Sequence, residues 1–279
     1  MENTTGGSLT LVGTPIGNLS DVSPRALEAL SGCDFIAAED TRVTLALLNH
    51  FDIKKPLVSY HEHNKRERGA QICDRLAAGE NAVLVSDAGM PAISDPGEDL
   101  VRLCHERNIP VTVVPGPCAA VTALALSGMP AGRFTFEGFL SVTKRVRREH
   151  LLSLQKEPRT MIFYEAPHKL PATLRDMLEV FGDRELALVR ELTKLHEEVI
   201  RTTLAAAAER FAAEAPRGEF VVIVGGAPQV KQTAFTAEQA AALARDYVAE
   251  GMSASAAAKA AAAETDVKKS EIYRLLVEE

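Results

Sequence analysis

The 279-residue sequence lacks the marks of several whole classes of protein. It has only four cysteines, Cys33, Cys73, Cys104 and Cys118, and no C-x-x-C pair. No histidine pair completes a zinc pattern, and His61-Glu62-His63 has no nameable third ligand, so no metal is expected. No apolar run is long enough for a signal peptide or a membrane span, and residues 1–8 are polar. The expectation is a reduced, cytoplasmic protein with buried thiols, Cys118 being the exception by its position. No G-x-G-x-x-G fingerprint and no G-K-[ST] phosphate loop occur, so a dinucleotide or nucleotide-phosphate site is poorly supported. An excess of positive charge is also missing. The formal net charge is −7, which argues against indiscriminate coating of nucleic acid.

What is present is an ordinary globular balance, 46% hydrophobic and 25% charged residues, enough apolar surface to bury a core. The length suits two compact units with a small appendix. Charge is unevenly spread: net −6 over residues 1–120, +2 over 121–232 and −3 over 233–279.

Short apolar runs bounded by turn residues predict strands over 8–13, 34–38, 81–86 and 110–114. Helical runs lie between them, starting at the Ser23-Pro24 cap and over 41–49, 64–78 and 97–107. This alternation predicts an α/β domain with a largely parallel sheet over residues 1–128. Gly-Met-Pro-Ala-Gly at 128–132 marks a boundary. A second α/β domain over 129–228 has strands at 134–139, 159–164, 186–191, 197–202 and 219–224, and helices at 144–155, 169–180 and 205–215. Its sheet should be mixed, because 192–195 is too short for a helical crossover. Residues 229–235 read as a linker. Residues 236–279 read as three helices, opened by a Thr236/Gln239 capping box. The alanine-rich run 253–264, a turn at 265–267 and the run 268–277 resemble a helix-turn-helix. Its second helix is short of basic residues, so base reading is not indicated.

Chemistry-bearing residues gather where strands end. The turn at 13–19 (GTPIGNL) lets backbone approach a ligand. The run 86–97 (SDAGMPAISDPG) sets Asp87 and Asp95 among small residues that admit a ligand, though Ser94 and Asp95 also suit plain helix caps. The run 114–120 (VPGPCAA) opens an apolar helix at the same edge. Carboxyl ends of parallel strands build ligand sites, so three such loops together favour a pocket. Ala38-Glu39-Asp40-Thr41-Arg42, Tyr164-Glu165-Ala166-Pro167-His168-Lys169 and Arg190-Glu191-Leu192-Thr193-Lys194 put mixed charges at other strand ends. Structural ion pairs account for them equally well. Lys144, Arg145, Arg147 and Arg148 make a cationic cluster, a solvated helix face or a phosphate-contacting one. Lys65, Arg66 and Arg68 make a weaker one.

Together VGTPIGNL, AEDTR, SDAGMPAISDPG, PGPCAAVTAL, YEAPHKL, RELTK and GEFVVIVGG resemble the tetrapyrrole-methylase superfamily of S-adenosylmethionine-dependent methyltransferases. Within it they are most similar to the bacterial 16S ribosomal RNA cytidine 2′-O-methyltransferases. The resemblance covers roughly residues 9–226, and the helical tail also resembles that group's C-terminal extension. It implies two α/β domains with S-adenosyl-L-methionine folded in the cleft between them, and a homodimer. It places donor contacts at Gly13, Pro15 and Ile16 in the first loop, Asp87 and Met90 in the second, Cys118 and Ala119 in the third, and Tyr164 across the cleft. The implied reaction methylates the ribose 2′-hydroxyl of cytidine 1402 in the decoding centre of 16S ribosomal RNA, within the small ribosomal subunit. Asp40, Glu165, Glu191 and Lys194 are candidate bases, and Arg42 or Arg190 candidate phosphate holders. Lys144, Arg145, Arg147 and Arg148 are the candidate RNA surface. The rivals are a tetrapyrrole or other small-molecule methyltransferase, which needs no cationic cluster, and a non-catalytic RNA-binding protein, which binds no donor.

Overall fold

The structure, a computed structural model, describes residues 6–228, 235–265 and 267–277. The expected linker at 229–235 lies outside these apart from Phe235. So does Asp266 in the expected turn. The first sheet is built from β1 (Leu9–Val12), α1 (Pro24–Gly32), β2 (Phe35–Ala38), α2 (Thr41–His50), β3 (Leu57–Ser59), α3 (Lys65–Ala77), β4 (Ala82–Val85), α4 (Gly97–Glu106), β5 (Val111–Val114) and α5 (Ala119–Ser127). Its order is β3-β2-β4-β1-β5, and every pairing is parallel. Strands β2 and β4 are wholly buried, as a sheet covered on both faces requires. Strand β3 was not expected. It has three half-buried residues, too few to show a period.

The second sheet comes from β6 (Phe134–Phe139), α6 (Lys144–Ser153), β7 (Thr160–Glu165), α7 (Leu170–Phe181), β8 (Glu185–Arg190), β9 (Glu198–Thr203), α8 (Leu204–Ala213) and β10 (Phe220–Val224). Its order is β6-β7-β10-β8-β9. Only β6 and β7 run parallel. The other pairings are antiparallel, so the sheet is mixed.

One helix departs from the sequence reading. Helix α5 follows the edge strand of the first sheet, within the stretch expected to end at 128. Its Ala120, Ala123 and Leu124 instead pack with Ile162, Ala187, Val189, Val221 and Ile223 of the second sheet. The helix is apolar all round and rich in alanine, so it lies close against a sheet face. Both sheets accordingly belong to one compact unit ending at Ala227, and a second unit begins at Pro228.

Among the described residues that second unit has three helices, α9 (Ala237–Ala249), α10 (Ala254–Thr265) and α11 (Lys269–Val277). Thr236 and Gln239 form the expected capping box, with bonds of 3.2 and 3.0 Å. The core consists of Ala240, Ala244, Ala257, Ala258 and Ala261 around Ile272. No helix among the described residues is long and apolar enough to cross a membrane.

Candidate functional site

Because β1 lies between β4 and β5, the loops after these three strands meet at one sheet edge. They are bonded to one another. Thr14 and Gly89 exchange backbone hydrogen bonds of 2.9 and 3.1 Å, and the Thr14 hydroxyl donates to the Ser86 carbonyl at 3.3 Å. Gly13 and Gly116 face each other so closely that a Cβ on Gly13 would lie 2.7 Å from the Gly116 Cα. The Gly116 N–H donates to the Met90 sulfur at 3.2 Å. Ala92 and Ser94 both sit at φ +68°, a left-handed conformation costly for residues with a Cβ. The Asp95 carboxylate braces that turn, accepting from Ala92 N and Gly97 N at 2.9 and 2.7 Å. Asp95 thus spends Oδ1 on loop structure, while its buried Oδ2 has no hydrogen-bond partner among the described residues. Asp87 instead reaches the Asp40 N–H at 2.9 Å and ties the loops after β2 and β4.

The second sheet supplies the opposite wall. The start of β10 lies beside the ends of β7 and β8, with Phe220 opposite both Glu165 and Arg190. A cavity of about 240 Å³ between the walls is lined by Ile16, Gly89, Met90, Ala119, Tyr164 and Glu165, with Ile93, Phe139 and Glu219 among the rest. Four expected donor contacts therefore converge: Ile16, Met90, Ala119 and Tyr164. Gly13 touches Met90 from behind. Pro15 and Asp87 line a second cavity, about 380 Å³, on the other side of the same two loops. Cys118 is the N-cap residue of α5 and is only half-buried, whereas Cys33, Cys73 and Cys104 are buried. The Tyr164 hydroxyl accepts from the Ala120 N–H at 3.0 Å, holding the start of α5. Burial first, then Cys118, pushes its pKa up to about 12.

The candidate bases are all committed elsewhere. Asp40 is the N-cap of α2 and binds Arg42 through both oxygens, at 3.0 and 2.6 Å, which holds its pKa at about 2. Arg42 is spent on the same pair. Buried Glu165 accepts from the Thr173 hydroxyl at 2.6 Å, from Ala166 N at 2.9 Å and from Lys169 at 2.9 Å. Glu191, at φ +50°, accepts from Glu219 N and Lys194, both at 2.9 Å, and these bonds hold its pKa low. Burial opposes charge on Lys194, but its bonds to Glu219 and Glu191 outweigh that and raise its pKa. Lys194 also packs on Gly17 of the first loop. Arg190 donates to the Arg217 carbonyl at 2.7 Å and pairs with Glu198 at 2.9 Å, in a separate pocket.

The cationic cluster divides. Lys144 and Arg145 are exposed, and Arg148 is partly exposed and pairs with Glu179 at 2.6 Å. Arg147 corrects the expectation. It is 8% exposed, pairs with the buried Asp176 of α7 through two nitrogens at 2.7 Å, and donates to the carbonyls of Ser141 and Val142. It anchors α6 and is not part of an RNA surface.

The sequence analysis did not name Ile93, Phe139, Glu219, Phe220 or Val221 as cavity residues, although Ile93 lies in the run 86–97 and Glu219, Phe220 and Val221 lie in the run 218–226 (GEFVVIVGG). Glu39, one of the mixed charges at the end of the second strand, has its pKa raised by burial and then by Asp87 and Asp95.

Such an arrangement defines a class. The chain belongs to the tetrapyrrole (corrin/porphyrin) methylase family, whose model matches residues 8–208. Solved structures of this fold include a uroporphyrin-III C-methyltransferase from Thermus thermophilus complexed with S-adenyl homocysteine. It has a TM-score of 0.56 and 21% identity, over 80% of this chain and 100% of that one. A diphthine synthase has a TM-score of 0.61 and 15% identity, over 79% and 90%. Within the family, the ribosomal RNA small subunit methyltransferase I of Synechocystis sp. is 47% identical over 273 residues, 98% of each chain. That of Thermotoga maritima is 50% identical over 220 residues, 79% of this chain and 99% of that one. With these relatives the chain forms the small subunit methyltransferase I branch of the family. The cavity suits the expected S-adenosylmethionine donor chemically. Backbone and small side chains leave room where Cβ atoms would intrude, apolar residues suit a flat heteroaromatic ring, and carboxylates stand close by for a cation.

Proposed function

We propose that the chain methylates the ribose 2′-hydroxyl of the decoding-centre cytidine at position 1402 of 16S ribosomal RNA, on the small ribosomal subunit. What carries the proposal is the identity to relatives named ribosomal RNA small subunit methyltransferase I, 42–47% over 96–98% of the chain and 50% over 69–80% of it, against 15–21% to the structural neighbours. Ile16, Met90, Ala119 and Tyr164 would hold the donor, with Gly13, Pro15, Asp87 and Cys118 shaping the loops around it. When bound, S-adenosylmethionine supplies an activated methyl group on a sulfonium. The residues of the chain then act chiefly by positioning, which can supply several kcal/mol of a barrier, about 7–11 in favourable cases. A strong side-chain base is not required for the proposal. Asp40 and Glu191 have low pKa values, Lys194 is protonated, and both Glu165 oxygens are engaged. Exposed Lys144 and Arg145, with partly exposed Arg148, supply phosphate contacts. The protein works as a cytoplasmic homodimer in this proposal.

Mass mapping of 16S ribosomal RNA from cells lacking the protein tests the function. One ribose methyl, on that cytidine, should disappear and return with the wild-type gene. An unchanged methylation map would refute it. Sedimentation of the purified chain checks the dimer.

A further inference from the structure

Phe139 stands 58% exposed in the wall of the donor cavity. Its place is specifically built. The register of β6 on β7 shifts between Phe136 and Gly138, a bulge of the kind that re-aims a side chain. Gly138 sits at φ +64°, and a Cβ there would lie 3.4 Å from the Ser94 hydroxyl of the strained second loop. Glu137 is held by His150 at 3.0 Å, which pins the bulge. The Phe139 ring leans on Tyr164 at 5.3 Å between centroids, and Lys169 approaches it at 5.9 Å. Ile93, 46% exposed, lines the same cavity. Exposed Lys144 and Arg145 begin the helix that follows.

A nucleotide whose ribose hydroxyl enters this cavity must leave its stack, and its base then needs another flat surface. Every base has a π face, so an aromatic ring at the mouth can receive it without reading its edge. We propose that Phe139 is the platform on which the base of the target nucleotide stacks while its ribose is methylated. The inference rests on the RNA methyltransferase reading and adds to it a residue that touches the base. The neighbouring cations suit the flanking phosphates, and Ile93 offers the base a second apolar contact.

The test compares wild type, Phe139→Trp and Phe139→Leu on small ribosomal subunits that lack the methyl group. Leucine keeps an apolar side chain but removes the π face. Phe139→Leu should lose about 5- to 100-fold in kcat/KM, carried by KM, while Phe139→Trp retains activity. Assays at saturating S-adenosylmethionine, with the donor KM measured for each variant, remove any change in donor binding from the comparison, and the melting temperature should not change in either variant. If Phe139→Leu matches wild type under these conditions, or loses stability together with activity, the platform is refuted. A wild-type enzyme that leaves the subunits unmethylated removes the functional reading and the platform with it. A methylating wild type beside an unimpaired Phe139→Leu removes the platform alone.

Discussion

Replacing Arg147 with methionine separates two roles that the cationic run 144–148 presents as one. Arg147 is 8% exposed and Asp176 5% exposed, and two guanidinium nitrogens lie 2.7 Å from one Asp176 oxygen. Methionine fills much of the same space but leaves the Asp176 carboxylate buried and unpaired. It also frees the carbonyls of Ser141 and Val142. Breaking one partner of a buried pair costs about 3–5 kcal/mol. For a folded unit of this size that corresponds to a fall in melting temperature of roughly 6–20 °C. The double variant Arg147→Met with Asp176→Leu should recover most of the loss, since no charge then stays buried. The exposed members behave oppositely. Lys144→Gln with Arg145→Gln should leave the melting temperature within about 1 °C, since exposed surface charges carry little stability. It should flatten the salt dependence of RNA binding by nearly one phosphate contact per residue removed, about 0.7–0.9 in slope. Thermal unfolding and RNA titrations at several salt concentrations read both effects. If Arg147→Met unfolded at the wild-type temperature yet flattened the salt slope, assigning it to an internal anchor would be wrong.

Two further outcomes follow from the site. Gly13→Ala would put a Cβ 2.7 Å from both the Gly116 Cα and the Met90 sulfur, so the loops must part. Donor binding should weaken by about 1–3 kcal/mol in calorimetry, and an unchanged affinity would show that the glycine approach does not shape the cavity. Glu39 has a folded-state pKa raised by burial and by Asp87 and Asp95, so it opposes folding once ionised. That opposition is absent below the unfolded pKa and complete above the folded one. Glu39→Gln should therefore unfold at a higher temperature than wild type at pH 7, with the gap closing below about pH 4. A lower melting temperature at pH 7 would contradict the burial argument.

Local features were legible in the sequence where chemistry and periodicity agreed. The strand expected over 134–139 appears with those bounds, and the short link at 192–195 correctly implied antiparallel β8 and β9. The loops at 13–19, 86–97 and 114–120 declared themselves by turn residues, and their convergence followed from parallel topology. Long-range partners were not legible. Asp176 lies 29 residues from Arg147, and nothing in a run of basic residues shows that one points inward. Phe139 and Glu219 become cavity residues only once β6 and β10 are set in their sheet. Helix α5 reads as apolar in sequence, but which sheet it covers depends on the whole fold. Strand β3 is too short to carry a period at all.

The position of α5 bears on how the protein acquires activity during synthesis. The helix emerges from the ribosome directly after β5, yet the surface it covers is made of β7, β8 and β10, the last ending at Val224. Until those strands exist, Ala120, Ala123 and Leu124 have no face to pack on, and the loop that begins α5 has no Tyr164 hydroxyl to receive its Ala120 N–H. A nascent chain released at 128 would carry three of the donor loops without the opposite wall. Completion of the cavity is thereby postponed until nearly the whole two-sheet unit has been made, and a chain stopped at 128 carries loops whose far wall and whose brace on α5 are both missing.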